Sequence, residues 1–294
     1  MTESHRTGST VPRRQLGRHL AQLRKSARYT VRSAARYLEW SEAKMWRIES
    51  GQTSLRSLDV EAMCRLYGAE PEITQALMGL AKETKARGWW HAYGEAIPES
   101  FDLYIGLEEA ASHLDTYERD LVPGLLQTAD YARAIINAGH PTADESFVAA
   151  RVALRVARQV LLTRVAGAPL LRVLLDEAVL RRQIGSKHAM GGQLRHLMEM
   201  GRLPHVTIRI VPFAAGLHLG VLSGPYTVLR FPTNGDGTAT EPDTVYTDGF
   251  TGALYLDKEA ETAKYRAAYQ ATWDAALSEH ESTALITETA GSYA

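Results

Sequence analysis

Cysteine is almost absent. Cys64 is the single one in 294 residues, which excludes an intramolecular disulfide and any thiolate zinc cluster. It falls inside a helical apolar stripe, where a buried, unreactive thiol is expected. Long hydrophobic runs are absent too: nothing approaches the roughly 20 apolar residues that cross a bilayer. The opening MTESHRTGSTVPRR lacks the apolar stretch of a secretory signal. A cytoplasmic chain without a membrane partner is expected, with residues 1–12 as a disordered arm. Catalytic signatures are equally scarce. There is no G-x-x-x-x-G-K-[ST] and no G-x-S-x-G, and Gly235 and Gly237 begin a G-x-G that no helix follows. The ten histidines include no H-E-x-x-H, and His188 and His196 lie too far apart along one helix to share an ion. No catalytic residue, metal or cofactor is expected.

What remains is ordinary globular composition, 45% hydrophobic and 23% charged, over a length that suits two domains. The net charge of -1 argues at first against a polyanion partner, but its distribution does not. Met1 to Trp90 hold 16 Lys/Arg and 9 Asp/Glu, net +7, which leaves -8 on the rest. Within Met1 to Arg36, nine basic residues face one acid, Glu3. A basic N-terminal third fits either a polyanion partner or a solvated arginine-rich helix, and the local pattern has to decide.

That pattern is five short helices. Leu16, Leu20, Leu23 and Ala27 share one face of a first helix from Arg13. Thr30 can cap a second, with Val31, Ala34, Ala35 and Leu38 inward, and Ser41 a third, with Met45 and Ile48 inward. Only Glu39 and Trp40 separate these two, which forces a steep crossing. Gly51 ends the third helix, Ser57 to Gly68 form a fourth, and Pro71 opens a fifth. The segment TVRSAARYLEWSEAKMWRIESG, Thr30 to Gly51, resembles the repressor-type (Xre-like) helix-turn-helix family. Thr30, Ala35, Leu38, Ser41, Arg47, Ile48, Glu49 and Gly51 match its pattern in register. Val31 stands where the family often has Gln, and Glu39 where it usually has Gly, so Glu39 must accept a left-handed turn or the turn must change.

A buried Met45 and Ile48 turn Ala43, Lys44, Trp46, Arg47 and Ser50 outward, with Glu42 at the flank. The N-terminal part of such a helix enters the major groove. Arg47 or Lys44 would donate to guanine, Glu42 accept from cytosine N4, and the Ala43 methyl touch thymine. Arg32, Ser33, Arg36, Thr53 and Arg56 sit at helix ends and the following loop, where phosphates are met, and Ser41 at the start of the third helix is counted with the DNA-binding residues. Trp46 either reaches DNA or packs on a neighbouring helix. Glu49 is expected to pair with an arginine of the first helix such as Arg24.

After Gly88 the helical pattern breaks and the acidic portion begins; the domains are drawn as 13–87 and 88–294. Trp89, Trp90, His91 and Tyr93 form either a ligand-binding aromatic wall or a packing plug. A helical stretch is expected over 95–166, running from Pro98 to about Asp120 and, after the Pro-Gly turn, from Thr128 and from a Thr142-x-x-Glu145 capping box to about Val165. Arg151, Arg155 and Arg158 read as a solvated stripe, with a docking stripe for an acidic partner as the alternative. A mixed sheet with helices is expected over 169–280. Leu170–Leu175 and Val206–Val211 frame a helix as a parallel pair, further strands lie near 225–231, 244–247 and 250–256, and a helix closes the chain at 258–278. Asp176 and Glu177 at a strand end, with His218 and Tyr226, are the best candidates for ligand contacts, against a plain helix N-terminal acid.

The segments GWW at 88–90, YIGLE at 104–108, LVPGLLQT at 121–128, LDEA at 175–178, VPF at 211–213 and G-x-LYL at 252–256 resemble the C-terminal domain of unknown function joined to this helix-turn-helix type in many actinomycete regulators. That resemblance implies an antitoxin-like transcription factor with a protein partner or a sensed ligand. The expected fold is mainly α with an α+β C-terminal part: a five-helix repressor-type domain, then a helical and mixed-sheet α/β domain. The expected function is a dimeric, sequence-specific regulator of double-stranded DNA whose C-terminal domain senses a ligand or a small acidic protein or peptide. A partner-binding antitoxin-like module, or an enzyme carried on a helix-turn-helix, is the alternative.

Overall fold

The computed structural model describes residues 10–85, 88–97, 101–235, 237–250 and 252–293. They form two compact units, Met1–Ala92 with Asp102–Ala110, and Tyr93–Phe101 with Ala111–Ala294. The fold class is the expected one: a helical N-terminal region and an α/β part built on a six-stranded mixed sheet.

In the first unit, α1 (Thr10–Ser26), α2 (Val31–Tyr37), α3 (Glu42–Glu49), α4 (Ser57–Tyr67) and α5 (Pro71–Glu83) enclose a core that includes Leu16, Leu20, Ala35, Met45, Ile48, Val60, Met63 and Cys64. Helix α1 starts before Arg13, so Thr10–Pro12 are helical rather than part of an arm; the rest of the expected arm lies outside the described residues. The reason is burial. Thr10 is enclosed against α6 (Phe101–Ala110), where a Cβ on Gly106 would fall 1.9 Å from Thr10 Oγ1. Thr30 caps α2 through a capping box with Ser33, and the Ser41 hydroxyl accepts from the Lys44 N–H at the start of α3. Between them Glu39 takes φ +57°, so the turn keeps its left-handed residue without glycine. Gly51 and Gly68 end their helices at φ +74° and +69°.

The second unit is organised on strands in the order β3-β2-β1-β4-β5-β6. Strand β1 (His113–Glu118) is followed by α7 (Ala129–Gly139), α8 (Glu145–Arg158) and α9 (Val160–Thr163), then β2 (Leu170–Asp176), α10 (Glu177–Arg181), α11 (Lys187–Met200) and β3 (Val206–Val211). Next come α12 (Leu219–Ser223), β4 (Tyr226–Arg230), β5 (Thr244–Gly249), β6 (Gly252–Leu256), α13 (Glu259–Ala275) and α14 (Glu279–Gly291). Strands β1, β2 and β3 are parallel, as expected for the last two, and β4, β5 and β6 join antiparallel. Asp115 in β1 accepts from Arg172 of β2 at 2.6 and 2.8 Å and from Arg230 of β4 at 2.9 Å, tying the parallel half to the antiparallel half.

Four expectations for this unit need correction. His113–Glu118 is a central strand, not the tail of a helix: burial on both faces (only its ends are partly open) gives it no solvent side to reveal a period. Helix α8 is capped by Asp144, whose Oδ1 accepts from the Phe147 N–H at 2.8 Å, rather than by Thr142, and it breaks at Gln159. The arginine stripe on α8 is not solvated. Arg158 is buried and Arg155 donates to Gln127 Oε1 at 2.7 Å, because the Pro-Gly turn packs there. The chain does not trail off after 278; α14 buries Ile286 and Ala290 and covers the edge of β3, with the Ile210 N–H donating to Ser282 Oγ at 2.9 Å.

Candidate nucleic-acid interface and strand-end cluster

The outward face of α3 follows from what holds its inward face. Met45 and Ile48 are buried, while Ser41, Glu42, Ala43, Trp46 and Arg47 are exposed. Trp46 is 58% exposed, so the indole is not core. Lys44 is folded over the Trp40 ring with Nζ 3.6 Å from its centroid, and Glu42 Oε1 accepts from Arg32 Nε at 2.9 Å. Arg47 makes no ion pair or side-chain hydrogen bond among the described residues, nor does Arg36, and both are exposed. Arg56 is held by Asp59 at 2.9 and 3.0 Å, and that guanidinium keeps the Asp59 carboxyl below its ordinary range. Ser33 is spent on the cap of α2, and Thr53 is half-buried in the loop after α3. The geometry therefore brings Arg47, Trp46, Ala43 and Lys44 onto one face, with Arg32 and Glu42 beside it as a closed pair.

The back of α3 is fixed by Glu49. It pairs with Arg24, as the sequence leads one to expect, and Arg24 Nη1 also donates to Tyr29 O at 2.7 Å. Helix α1 approaches closely because Gly17 has no side chain: a Cβ there would fall 2.5 Å from Ile48 O and 2.7 Å from Glu49 O.

The aromatic candidates separate. Trp90 is fully buried in the first unit, donates to Asp102 Oδ1 at 2.5 Å and stacks on His91. Trp89 is partly exposed, edge-on to Trp90, and donates to Glu109 Oε2 at 3.4 Å. Tyr93 belongs to the second unit and is half-buried. The indole of Trp90 is thus committed to packing, while that of Trp89 stays exposed.

The strand-end candidates do converge. Asp176 ends β2 and caps α10, its Oδ1 accepting from the Ala178 N–H at 2.9 Å. Its Oδ2 lies 4.0 Å from His218 Nε2. Glu177 Oε2 accepts from the Phe213 N–H at 3.0 Å and Oε1 pairs with Arg181. Tyr226 donates to Tyr265 O at 3.3 Å. The residue that joins them is Tyr117, edge-on to the His218 ring at 6.0 Å between centroids and 6.1 Å from Tyr226. The sequence pattern does not reveal it, because His113–Glu118 alternates no apolar face and carries only Thr116 as a β-branched residue. Tyr117 Oη and His218 Nδ1 are both buried without a hydrogen-bond partner, a state that costs about 1–3 kcal/mol per group. Burial first, and the Asp176 charge second, push the Tyr117 hydroxyl well above the ordinary phenol range.

Among the described residues no group of three His, Cys, Asp or Glu could hold a metal, and no helix is long and apolar enough to cross a membrane. Comparison with known families matched residues 101–288 to a family described as a domain of unknown function, DUF5753, and residues 15–77 to a helix-turn-helix domain. Neither a curated protein nor a solved structure matched the chain.

Proposed function

The chain belongs to the DUF5753 family and carries a helix-turn-helix domain ahead of that domain, and from this premise we propose that it is a sequence-specific, DNA-binding transcription regulator of the repressor (Xre-like) type. The outer face of α3 carries the proposal. Arg47, unpaired and exposed beside Trp46 and Ala43, has the donor fork that reads guanine O6 and N7, on a helix whose other side is locked to α1 and α2. Arg36, Ser41 and Thr53 set the register against phosphates, Arg32 and Arg56 join them once their pairs with Glu42 and Asp59 open, freeing Glu42 for a base, and Ser33 serves through the cap that presents α2. The regulator acts as a dimer, since one such module touches too few base pairs for useful specificity. The second unit supplies the sensing function, through the strand-end cluster of Asp176, Glu177, His218 and Tyr226.

Fluorescence polarisation at physiological salt tests this directly, with the protein's own upstream region against random duplexes of equal length. A preference of about 10³ or more for the upstream region is expected of a specific regulator. Equal affinities, or no binding to either, overturn the reading.

A further inference from the structure

We propose that Tyr117 Oη and His218 Nδ1 are the polar end of a binding site for a small apolar molecule carrying an uncharged hydroxyl, with α12 as its cover. The proposal deepens the sensing role given above and rests on it only for the regulatory consequence, not for the site itself.

Placement is the first argument. Tyr117 is the last residue but one of β1 and Asp176 the last of β2, two adjacent parallel strands. Open sheets with parallel strands hold ligands beyond those carboxyl ends. The second argument is that two polar atoms are buried there unsatisfied. Tyr117 is fully buried, the His218 side chain is 7% exposed, and neither Tyr117 Oη nor His218 Nδ1 has a partner, whereas buried polar groups are nearly always paired.

The chemistry of the ligand follows from which atoms are already committed. His218 Nε2 lies 4.0 Å from Asp176 Oδ2, beyond hydrogen-bond reach, so Nδ1 donates or accepts according to the tautomer of the ring. The Tyr117 hydroxyl donates or accepts. A ligand hydroxyl, donor and acceptor at once, complements either atom in either state. The guanidinium that reaches α12 is engaged: Arg119 is held by Asp120 at 3.1 Å and by Val221 O at 3.4 Å. The carboxylates beside the two polar atoms are engaged in the fold: Asp176 Oδ1 accepts from Ala178, and Glu177 serves Phe213 and Arg181.

The body of the ligand is apolar because the rim is. Phe213, Leu217, Leu219, Val221 and Leu222 are all at least 41% exposed within one ten-residue stretch, a density that marks a binding surface. Gly220 of α12 lies directly on the two polar residues; a Cβ there would fall 2.6 Å from Tyr117 Cζ and 2.9 Å from His218 Cε1. The cover therefore seats on the polar end itself.

The test is a ligand-observed NMR titration of the full chain with hexan-1-ol and, matched in length, hexanoate and hexylammonium. Saturable binding of hexan-1-ol, about fivefold or more tighter than either ion, is expected from one satisfied hydrogen-bond pair. Tyr117→Phe, which removes one oxygen and keeps the packing, is expected to weaken hexan-1-ol by a similar factor with an unchanged circular dichroism spectrum, and His218→Phe likewise. Should His218→Phe fail to fold, Leu222→Ser on the exposed rim still has to weaken the alcohol. Non-saturable binding, equal binding of the ions, or full affinity in Tyr117→Phe overturns the proposal, the last showing that water alone fills the polar end. Because the titration contains no DNA, failure of the DNA-binding reading leaves it untouched; hexan-1-ol that binds as expected without altering DNA affinity upholds the site and removes its regulatory role.

Discussion

Glu49, the last residue of α3, accepts two hydrogen bonds from the Arg24 guanidinium of α1, at 2.6 and 2.8 Å. Both side chains are nearly enclosed, 9% and 11% exposed, and the hydrogen bond to Glu49 raises the Arg24 pKa above its ordinary value. The pair pins the C-terminal end of α3 to α1 without touching its outward face. Glu49→Ala leaves a guanidinium in a closed site with only the Tyr29 carbonyl. A loss of about 3 kcal/mol in urea unfolding of the first unit's transition is expected, as for other broken buried pairs.

Arg47 and Arg36 are both exposed and unpaired, yet they stand on different helices, and their substitutions should be distinguishable. Arg47→Ala should cost about 1–3 kcal/mol on the preferred duplex and little on random DNA, narrowing the ratio between them. Arg36→Ala should weaken both duplexes alike and lower the slope of log affinity against log salt by about one. Polarisation titrations over a range of salt concentrations measure both quantities.

The first unit was legible because its rules are local. Thr30 and Ser41 cap, Met45 and Ile48 alternate with exposed neighbours at helical spacing, and Gly51 closes the helix. Each needs only residues within a turn or two. What the second unit hid depends on distant partners. His113–Glu118 is interior to the sheet, so its burial has no period of two to betray a strand. Helix α14 carries a single short apolar run, 284–286, among polar residues, and its burial comes from lying on β3 more than sixty residues earlier. The strand-end cluster was half legible: Asp176 and Glu177 follow an apolar run, but Tyr117, which connects them to His218 and Tyr226, comes from a strand 57 residues upstream of Leu174, its partner in register.

Glu118, at the end of β1, carries a pH dependence. Burial first, and the nearby Asp120 and Asp248 charges second, push its carboxyl from an ordinary 4.5 up to about 8. The folded chain therefore holds this proton where the unfolded chain has released it. Stability from this group is complete below pH 4.5, declines as pH rises toward about 8, and is flat above. Glu118→Gln, neutral throughout, should abolish that decline, so that its urea midpoint relative to the parent rises between pH 5 and pH 8. Parallel profiles for the two proteins would show that Glu118 is ionised in the fold.

Gly17 decides how α3 is seated, and the effect of filling it can be worked out from the backbone alone. Its helix conformation is an ordinary one, so alanine costs nothing in φ and would by itself improve helix propensity by close to 1 kcal/mol. The space is what forbids it. The new methyl would lie 2.5 Å from Ile48 O, 2.7 Å from Glu49 O and 3.0 Å from the Glu49 carbonyl carbon. Those atoms are backbone, so no side chain can rotate away; α1 and α3 have to part. Parting lengthens the Arg24–Glu49 hydrogen bonds and opens the contact over buried Leu20 and Ile48. Overpacking of this kind costs about 1–3 kcal/mol, so a net destabilisation is expected despite the propensity gain. The more telling readout is DNA affinity at a temperature where Gly17→Ala is still folded. Because the seat of α3 is what opens, binding to the preferred duplex should fall more than binding to random DNA, whereas a variant that merely lost stability would keep the ratio of the parent.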